Sequence, residues 1–280
     1  MQDKIKIEHG SVQETLIIPL YARKMCVDLF PNVFYDPAAP ELCARLDYDF
    51  SSLDKKAKST AYQFGALEGA MRQLDMAWEV NDYLATHPDA AIVNLGCGLD
   101  NTGFTCAQGT SSPIYNIDMP DIIAARNELM GVQPGEHNNA YDLSDHRWMD
   151  EVDTTHGVVM FAAGVFHYLT MANVRALALD AAERFPGGKL VFDAVTRFGQ
   201  KMMMKTILRN FDMGDYTELF SVQSIDELRA WSPSLTISQR PYMLGYNDMR
   251  DPSIKGIHRV LAKVGDKLMG MTTYRIDFPA

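Results

Sequence analysis

Short runs of apolar residues alternate along the chain with longer segments in which apolar residues recur at every third or fourth position. Short apolar runs are typical of strands buried in a parallel sheet, and the wider spacing is typical of helices that pack on a sheet. The runs predict strands at residues 91–95, 113–118, 139–142, 157–162, 189–195, 235–240 and 268–276. The last of them alternates apolar and polar residues, as an antiparallel hairpin strand does. Strands that alternate with helices predict a doubly wound α/β sheet.

The longest helical pattern covers residues 60–87 and ends before a proline. Its predicted buried face consists of apolar residues at helical spacing, namely Leu67, Met71, Leu74, Trp78 and Val80. A second helix is predicted over residues 171–185, where a Pro-Gly-Gly sequence stops it. Residues 225–231 predict a short helix, and Ser11 and Glu14 have the spacing of a capping box.

The patterns divide the chain into two parts. Only helical patterns precede residue 91, and several prolines cut them into short pieces. We therefore predict an N-terminal helical cap over residues 1–90 and a sheet-containing core over residues 91–280. From about 196 to 252 the alternation of strand and helix patterns is interrupted, so this range is predicted to be an insertion that helps to cover a site.

Composition narrows the class of protein. The 280-residue chain is 47% apolar, which is ample for a buried core, and its net charge is −10 without a stripe of Lys or Arg. Such a chain is not expected to bind nucleic acid. No apolar run approaches the roughly 20 residues of a membrane span, and the cysteines and histidines lack zinc-site spacing. We expect a cytoplasmic protein with reduced thiols, no metal and no membrane partner, and the patterns leave its oligomeric state open.

A glycine turn follows the predicted strand 91–95. Gly96 and Gly98 flank Cys97, and without Cβ atoms at the two glycines a ligand can approach the backbone closely. Asp118 ends the next predicted strand, about twenty residues later, where a carboxylate accepts hydrogen bonds from both hydroxyls of a ribose. A dinucleotide-binding turn has a third Gly or Ala where this chain has Asn101. The pattern thus predicts an adenosine ligand without a pyrophosphate, and it counts against the alternative of an NAD-dependent oxidoreductase.

The sequence resembles the leucine carboxyl methyltransferase family and, within it, a branch typified by a polyketide O-methyltransferase. The segments that carry the resemblance are residues 11–23, 45–50, 71–75, 94–100, 116–120, 141–145 and 161–168, with Trp148 and Met149. The resemblance implies a Rossmann-like class I methyltransferase with a seven-stranded, mostly parallel sheet and helices on both faces. It also implies S-adenosyl-L-methionine as the methyl donor and S-adenosyl-L-homocysteine as the product.

The resemblance further implies a set of cofactor-binding residues. They are Arg23, Arg72, Gly96, Cys97, Gly98, Asp118, Met119, Asp142, Leu143 and Ala163. Arg23 and Arg72 match the basic positions that hold the methionine carboxylate, which a guanidinium suits because it donates two parallel hydrogen bonds. Asp142 matches the position that accepts from the adenine amine, although an Asp before Ser144 is also a favoured cap residue.

Two positions depart from the family's pattern. Thr105 stands where the family commonly has Arg, which puts a local ion pair in doubt. Ala163 stands where members closest to the leucine-specific enzyme have Glu, so one polar contact to the cofactor is missing.

The predicted acceptor contacts lie at the edge of the sheet. His167 and Tyr168 follow the predicted strand 157–162, at the carboxyl edge where open α/β proteins bind ligands. Tyr21 and Met203 are predicted to form apolar walls for the same acceptor. His167 is the single candidate catalytic residue, as a base or a positioning group. The alternatives are a packing role for His167 and core filling for the methionines around Met203.

These features predict an S-adenosylmethionine-dependent O-methyltransferase with a small-molecule acceptor, such as a polyketide or another secondary metabolite. A carboxylate acceptor is favoured because the matching branch methylates carboxyl groups, and an ionised carboxylate needs no base. A hydroxyl or phenol is the alternative, and it usually needs a proton acceptor close by. Another alternative, motivated by the two departures, is a non-catalytic protein that binds the cofactor or a partner.

Overall fold

The computed structural model describes residues 4–6, 16–206, 219–247 and 249–280. The elements before residue 91 are β1 (Ile5–Lys6), α1 (Ile17–Leu29), α2 (Ala38–Arg45), β2 (Leu46–Asp47), α3 (Ser51–Lys56) and α4 (Thr60–Leu84). Apart from the parallel pair of β1 and β2, this part is helical, as the sequence indicates. The predicted capping box at Ser11 and Glu14 lies outside the described residues.

The central sheet contains the strands of the remaining chain. They are β3 (Ala91–Leu95), β4 (Ile114–Asp118), β5 (Glu136–Ala140), β6 (Val158–Ala162), β7 (Lys189–Ala194), β8 (Thr236–Pro241) and β9 (Thr272–Asp277). Their order is β5-β4-β3-β6-β7-β9-β8. The first five strands of this order run parallel, and β9 is antiparallel to both of its neighbours. This arrangement confirms the predicted seven-stranded, mostly parallel sheet.

Helices cover both faces of the sheet. The helices after β3 are α5 (Thr102–Cys106), α6 (Pro120–Met130), α7 (Met171–Arg184), α8 (Arg197–Thr206), α9 (Ile225–Arg229) and α10 (Gly256–Val264). Alternate strand residues point to opposite faces. Val93 and Met160 belong to a core that includes α7, whereas Ile92 and Val159 pack in a second core with α4. The prediction of helices on both faces is therefore correct.

Two predicted strands have different bounds in the structure. The strand predicted at 139–142 is β5, which ends at Ala140, so Asp142 lies in the turn that follows. The strand predicted at 268–276 begins only at Thr272, because Gly265–Met269 form a π-helical turn after α10. Gly270 then adopts a φ of +60°, which ends the helix and allows the chain to turn into β9.

The packed face of α4 is more polar than predicted. Leu67, Met71 and Val80 are fully buried, but the Trp78 side chain is 42% exposed. Charged residues occupy the same helix at intervals of three and four positions and form a charged stripe of Glu68, Arg72, Asp75, Glu79 and Asp82. Their partners include Asp193 and Lys189 on β7, Arg275 on β9, and Asn247. The helical spacing therefore indicated the helix but not the composition of its buried face.

The division into a cap, a core and an insertion stays a prediction. The range predicted as an insertion, 196–252, contains α8 and α9, and it also contains β8, which is an edge strand of the sheet. Among the described residues, no helix combines the length and the apolar character that crossing a membrane requires.

Candidate active site

The glycine turn lies where β3 ends, and hydrogen bonds fix its backbone. Gly96 and Gly98 have φ angles of +64° and +46°, which favour glycine. A Cβ atom at Gly96 would lie 2.5 Å from a Val165 methyl carbon, because the loop after β6 packs on the turn. The amides of Gly96 and Cys97 donate to the carbonyl of Ile117 on β4. The turn is thus fixed by hydrogen bonds to β4 and by the packing of the loop after β6.

Asp118 lies beside this turn, as the sequence predicts. Its Oδ2 accepts from the Gly98 amide at 2.8 Å, and its Oδ1 accepts from the Met119 amide at 2.8 Å. Burial raises the pKa of the Asp118 carboxyl, although these two amides oppose the rise. An ionised carboxylate has about four lone-pair sites, so each oxygen can accept a further hydrogen bond. Its assignment as the ribose ligand stays a prediction.

Arg126 on α6 supports the turn from inside the protein, a role that was not predicted from the sequence. The side chain is 1% exposed. Its guanidinium donates to the carbonyls of Gly98 and Asp100 at 3.1 and 2.6 Å and pairs with Glu136 at 3.1 Å. A buried arginine within a helical pattern was the one available hint, since Arg is rarely buried without a partner.

Arg23 on α1 reaches the other side of the turn. Its Nη2 donates to the carbonyl of Leu99 at 2.8 Å, and its Nη1 lies 3.0 Å from Oδ2 of the buried Asp36. Nη1 nevertheless has no hydrogen bond with suitable geometry among the described residues. This nitrogen is enclosed by protein, and its charge is paired with that of Asp36.

Arg72 and Asp193 form the second charged centre, at the ends of β6 and β7. Arg72 Nη1 lies 3.6 Å from Asp193 Oδ2, and the Gly164 amide donates to Asp193 Oδ1 at 2.6 Å. A Cβ atom at Gly164 would lie 2.3 Å from Arg72 Nη1, so the guanidinium occupies the space that the missing side chain leaves. Burial alone would raise the pKa of Asp193, but Arg72, His167 and the Gly164 amide outweigh it and lower the pKa to about 2.

Asp193 was missed in the sequence, although an acid inside the apolar strand 189–195 is a visible anomaly. Buried carboxylates are costly unless they are paired, so such a residue points to a partner elsewhere in the fold. Its partners, Arg72 and His167, belong to a helix and to a loop that are distant in the sequence.

His167 is buried, with 4% of its surface exposed. Its Nε2 lies 3.1 Å from Asp193 Oδ2, and because a carboxylate only accepts, this nitrogen carries the donated proton. Its Nδ1 is enclosed by protein and has no hydrogen-bond partner within the described residues. The structure therefore brings His167 together with Arg72, but both of its ring nitrogens face protein.

The other predicted cofactor residues differ in their surroundings. Asp142 Oδ1 accepts from the amide and the hydroxyl of Ser144, which is the turn-capping arrangement considered as an alternative. Leu143 is buried in the core that includes α7, and Met119 is 42% exposed after β4. Ala163 is partly buried against the core beside α4. None of these contacts tests their predicted roles.

The predicted acceptor residues do not all lie together. Tyr168 is close enough to Arg72 and Asp193 for both charges to act on it. Tyr21 donates to Asp54 at 2.6 Å and stacks on Phe50. Residues two positions apart on a helix point in different directions, so Tyr21 faces away from its neighbour Arg23.

Two negative observations complete the description of the site. Met203 lies in α8, and its side chain is outside the part of the chain that the structure describes. Within the described ranges, no three or more His, Cys, Asp or Glu side chains come together in a way that could hold a metal ion.

The family model described as leucine carboxyl methyltransferase matches residues 21–181, which is more than half of the chain. The tetracenomycin polyketide synthesis O-methyltransferase TcmP of Streptomyces glaucescens is 30% identical over 184 residues. This match covers 66% of each chain, slightly less than two thirds. The S-adenosyl-L-methionine-dependent methyltransferase dpfgK of Gibberella zeae is 26% identical over 208 residues, which cover 69% of each chain.

The fold is also similar to that of solved structures. A putative methyltransferase from Thermobifida fusca superposes with a TM-score of 0.55 at 14% identity, covering 77% of this chain and 83% of that one. The Streptomyces and Gibberella relatives are both named methyltransferases. The similarities therefore favour this reaction over the NAD-dependent oxidation that the glycine turn alone had left open.

Proposed function

Because the chain belongs to the leucine carboxyl methyltransferase family and is an S-adenosylmethionine-dependent methyltransferase, we propose that it methylates a carboxylate oxygen of a small molecule. The family's description names methyl transfer to a carboxyl group, and the Streptomyces relative is named as a polyketide O-methyltransferase. A polyketide or related secondary metabolite with a carboxyl group is the proposed acceptor class.

The observation that carries the carboxylate proposal is the enclosure of His167. One ring nitrogen is bonded to Asp193, and the other is covered by protein. A group in that position cannot take a proton from an acceptor without first moving. A carboxylic acid with a pKa of about 4 is already ionised at neutral pH and requires no base. The arrangement therefore suits an acceptor that arrives as an anion.

The residues around the turn fit the cofactor. Asp118 offers acceptor sites for the two ribose hydroxyls, and the glycines leave the backbone accessible. Arg23 and Arg72, which match the family's carboxylate-binding positions, would hold the methionine carboxylate. The bound cofactor supplies a methyl group on a sulfonium that is already activated for transfer. The chain therefore has to orient the two reactants, which contributes roughly 7–11 kcal/mol in well-aligned pairs.

A hydroxyl acceptor is the second candidate, and Glu68 favours it. Glu68 lies one helical turn before Arg72 on the charged stripe of α4. Burial raises the pKa of its carboxyl to about 7, with Asp266 adding to the rise and Arg72 opposing it. A carboxyl group with such a pKa is suited to act as a general base at neutral pH.

The pH dependence of the rate separates the two candidates. An acceptor is first identified by screening aromatic carboxylates and phenols for transfer of a labelled methyl group. With a carboxylate acceptor, His167→Gln and Glu68→Gln should each lower kcat only modestly, and neither should remove a titration of the rate between pH 6 and 8. A loss of roughly 10²–10⁴-fold in either variant, together with the disappearance of a titration that the wild type shows in this pH range, would overturn the carboxylate proposal.

Arg23 and Arg72 are expected to act on the methionine carboxylate. Arg23→Ala and Arg72→Ala should each weaken S-adenosylhomocysteine binding about 10- to 150-fold, the range for a hydrogen bond to a charged group. Binding of 5′-methylthioadenosine, which lacks that carboxylate, should change much less. Isothermal titration calorimetry measures both, and Arg175→Ala, on the exposed side of α7, is the matched control. Equal losses on the two ligands would reject the assignment.

A further inference from the structure

A cavity of about 350 Å³ lies between the β8–β9 edge of the sheet and the end of α10. We call it the basic cavity, and the lining residues that matter are Arg240, Leu244, Lys263, Asp266, Lys267 and Met271. Its volume is within the range of small-molecule sites. The glycine turn does not contribute to its lining.

The charge of the basic cavity is opposite to that of the chain. Three cations and one acid line it, although the chain as a whole has a net charge of −10. Lys263 and Lys267 are exposed, and neither forms an ion pair with any residue that the structure describes. Unpaired cations in an acidic protein attract anions to this position.

Arg240 is held rigidly at the rim. Its guanidinium carbon lies 4.2 Å from the centroid of the Trp78 ring and 4.9 Å from that of the Tyr246 ring. This contact explains why Trp78 remains half exposed instead of joining the core. A guanidinium that two rings hold in place loses little conformational entropy when it binds a carboxylate.

The lining of the basic cavity includes one acid, and this acid lies on an unusual backbone. Asp266 lies in the π-helical turn Gly265–Met269, and such turns frequently occur at functional sites. Its Oδ1 accepts from the Met243 amide at 3.1 Å, and the Leu244 amide also stabilises the charged form of this carboxyl. Burial raises the pKa of this carboxyl, so its repulsion of an anion is reduced.

The basic cavity is connected to the site at the end of β7. Thr272, at the start of β9, pairs with Ala194, which follows Asp193. Met269 in the π-helical turn accepts hydrogen bonds from the amide and the hydroxyl of Thr196. Thr272, which lines the cavity, therefore lies beside the end of β7, where Asp193 pairs with Arg72.

We propose that the basic cavity is a binding site for a small organic molecule that carries two carboxylates on an apolar body. The three cations provide more positive charge than one carboxylate would neutralise, and Leu244 and Met271 provide the apolar wall. This site is additional to the proposed cofactor site. The molecule is either a second ligand or the acidic end of the acceptor itself.

The test uses isophthalate, a rigid aromatic dicarboxylate, with the neutral isophthalamide as its control. The protein is labelled with [¹³C-methyl]methionine, and a Met271→Leu variant identifies the resonance of the residue in the cavity wall. We expect isophthalate at constant ionic strength to shift this resonance saturably and isophthalamide to leave it unchanged. In Lys263→Gln/Lys267→Gln the dissociation constant should rise at least about tenfold. The matched control, Lys55→Gln/Lys56→Gln, removes the same charge from the exposed end of α3 and should bind like the wild type.

No saturable shift, or equal binding by both double variants, would overturn the proposal. The measurement is made without the cofactor, so its outcome is independent of the proposed methyl transfer. Adding S-adenosylmethionine then distinguishes the two sources of the ligand. Formation of monomethyl isophthalate indicates that the cavity holds part of the acceptor, and saturable binding without ester formation indicates a separate ligand.

Discussion

Replacing Asp193 with Asn is expected to lower the free energy of unfolding by about 3 kcal/mol, the lower end of the range for breaking a buried ion pair. The substitution keeps the shape of the side chain but removes the charge that Arg72 and His167 face. Arg72 is partly exposed, so water compensates some of the loss. Urea unfolding at pH 7 measures the effect, and calorimetry with S-adenosylhomocysteine should show weaker binding because Arg72 is no longer held in position.

Asp75→Asn is the matched control, because the same chemical change is made at another fully buried acid that lies one helical turn from Arg72. Burial raises the pKa of the Asp75 carboxyl to about 9, and Asp266, Asp193 and Glu79 add to the rise. Asp75 is therefore neutral at pH 7, and an amide replaces it without loss of charge. We expect Asp75→Asn to leave stability unchanged or to raise it. If both substitutions lowered the free energy of unfolding equally, this result would contradict the assignment of Asp193 as ionised and Asp75 as neutral at pH 7.

The pH dependence of stability should differ in sign for these two acids. The pKa of Asp193 is lower in the folded state, so its stabilisation is present above about pH 4 and is lost as the pH falls towards 2. The pKa of Asp75 is higher in the folded state, so the folded protein keeps a proton that the unfolded chain releases. The stabilisation of the folded state by this bound proton is lost as the pH rises from about 4 to about 9. The advantage of Asp75→Asn over the wild type should therefore grow across that interval.

Replacing Asp118 with Ala is expected to weaken S-adenosylhomocysteine binding about 10- to 150-fold, which corresponds to about 1.5–3 kcal/mol for hydrogen bonds to a charged group. The upper part of this range is expected, because the same carboxylate also holds the amides of Gly98 and Met119 and so maintains the glycine turn. Calorimetry on the isolated protein gives the dissociation constants directly.

Asp121→Ala is the control for this experiment. Asp121 is exposed in the first turn of α6, three residues from Asp118, and its removal changes the net charge equally. The dissociation constant of Asp121→Ala for S-adenosylhomocysteine should match that of the wild type. An unchanged constant in Asp118→Ala would show that the ribose is bound elsewhere.

The features that could be predicted from the sequence are those whose pattern lies within a short stretch of the chain or at a characteristic spacing. The strands β3, β6 and β7 were predicted to within one or two residues, because a buried parallel strand is recorded locally as a short apolar run. The glycine turn and the nearby acid Asp118 were also visible, since their roles depend on residues that are close in the sequence or at a characteristic spacing. The start of β9 was placed too early, because the apolar residues Leu268 and Met269, which end the π-helical turn, extend the apolar pattern of the strand.

By itself, the sequence determined the fold class, the family and the position of the glycine turn, because local patterns and motif spacing carry this information. Only the tertiary structure decided which charges meet. Arg72 pairs with Asp193, and Arg126 supports the turn through partners on other elements. The polar face of α4 likewise depends on strands that follow it by more than one hundred residues. An ion pair depends on the distance between two side chains in space. The pattern of apolar and polar residues along the chain therefore does not predict which distant residues form one.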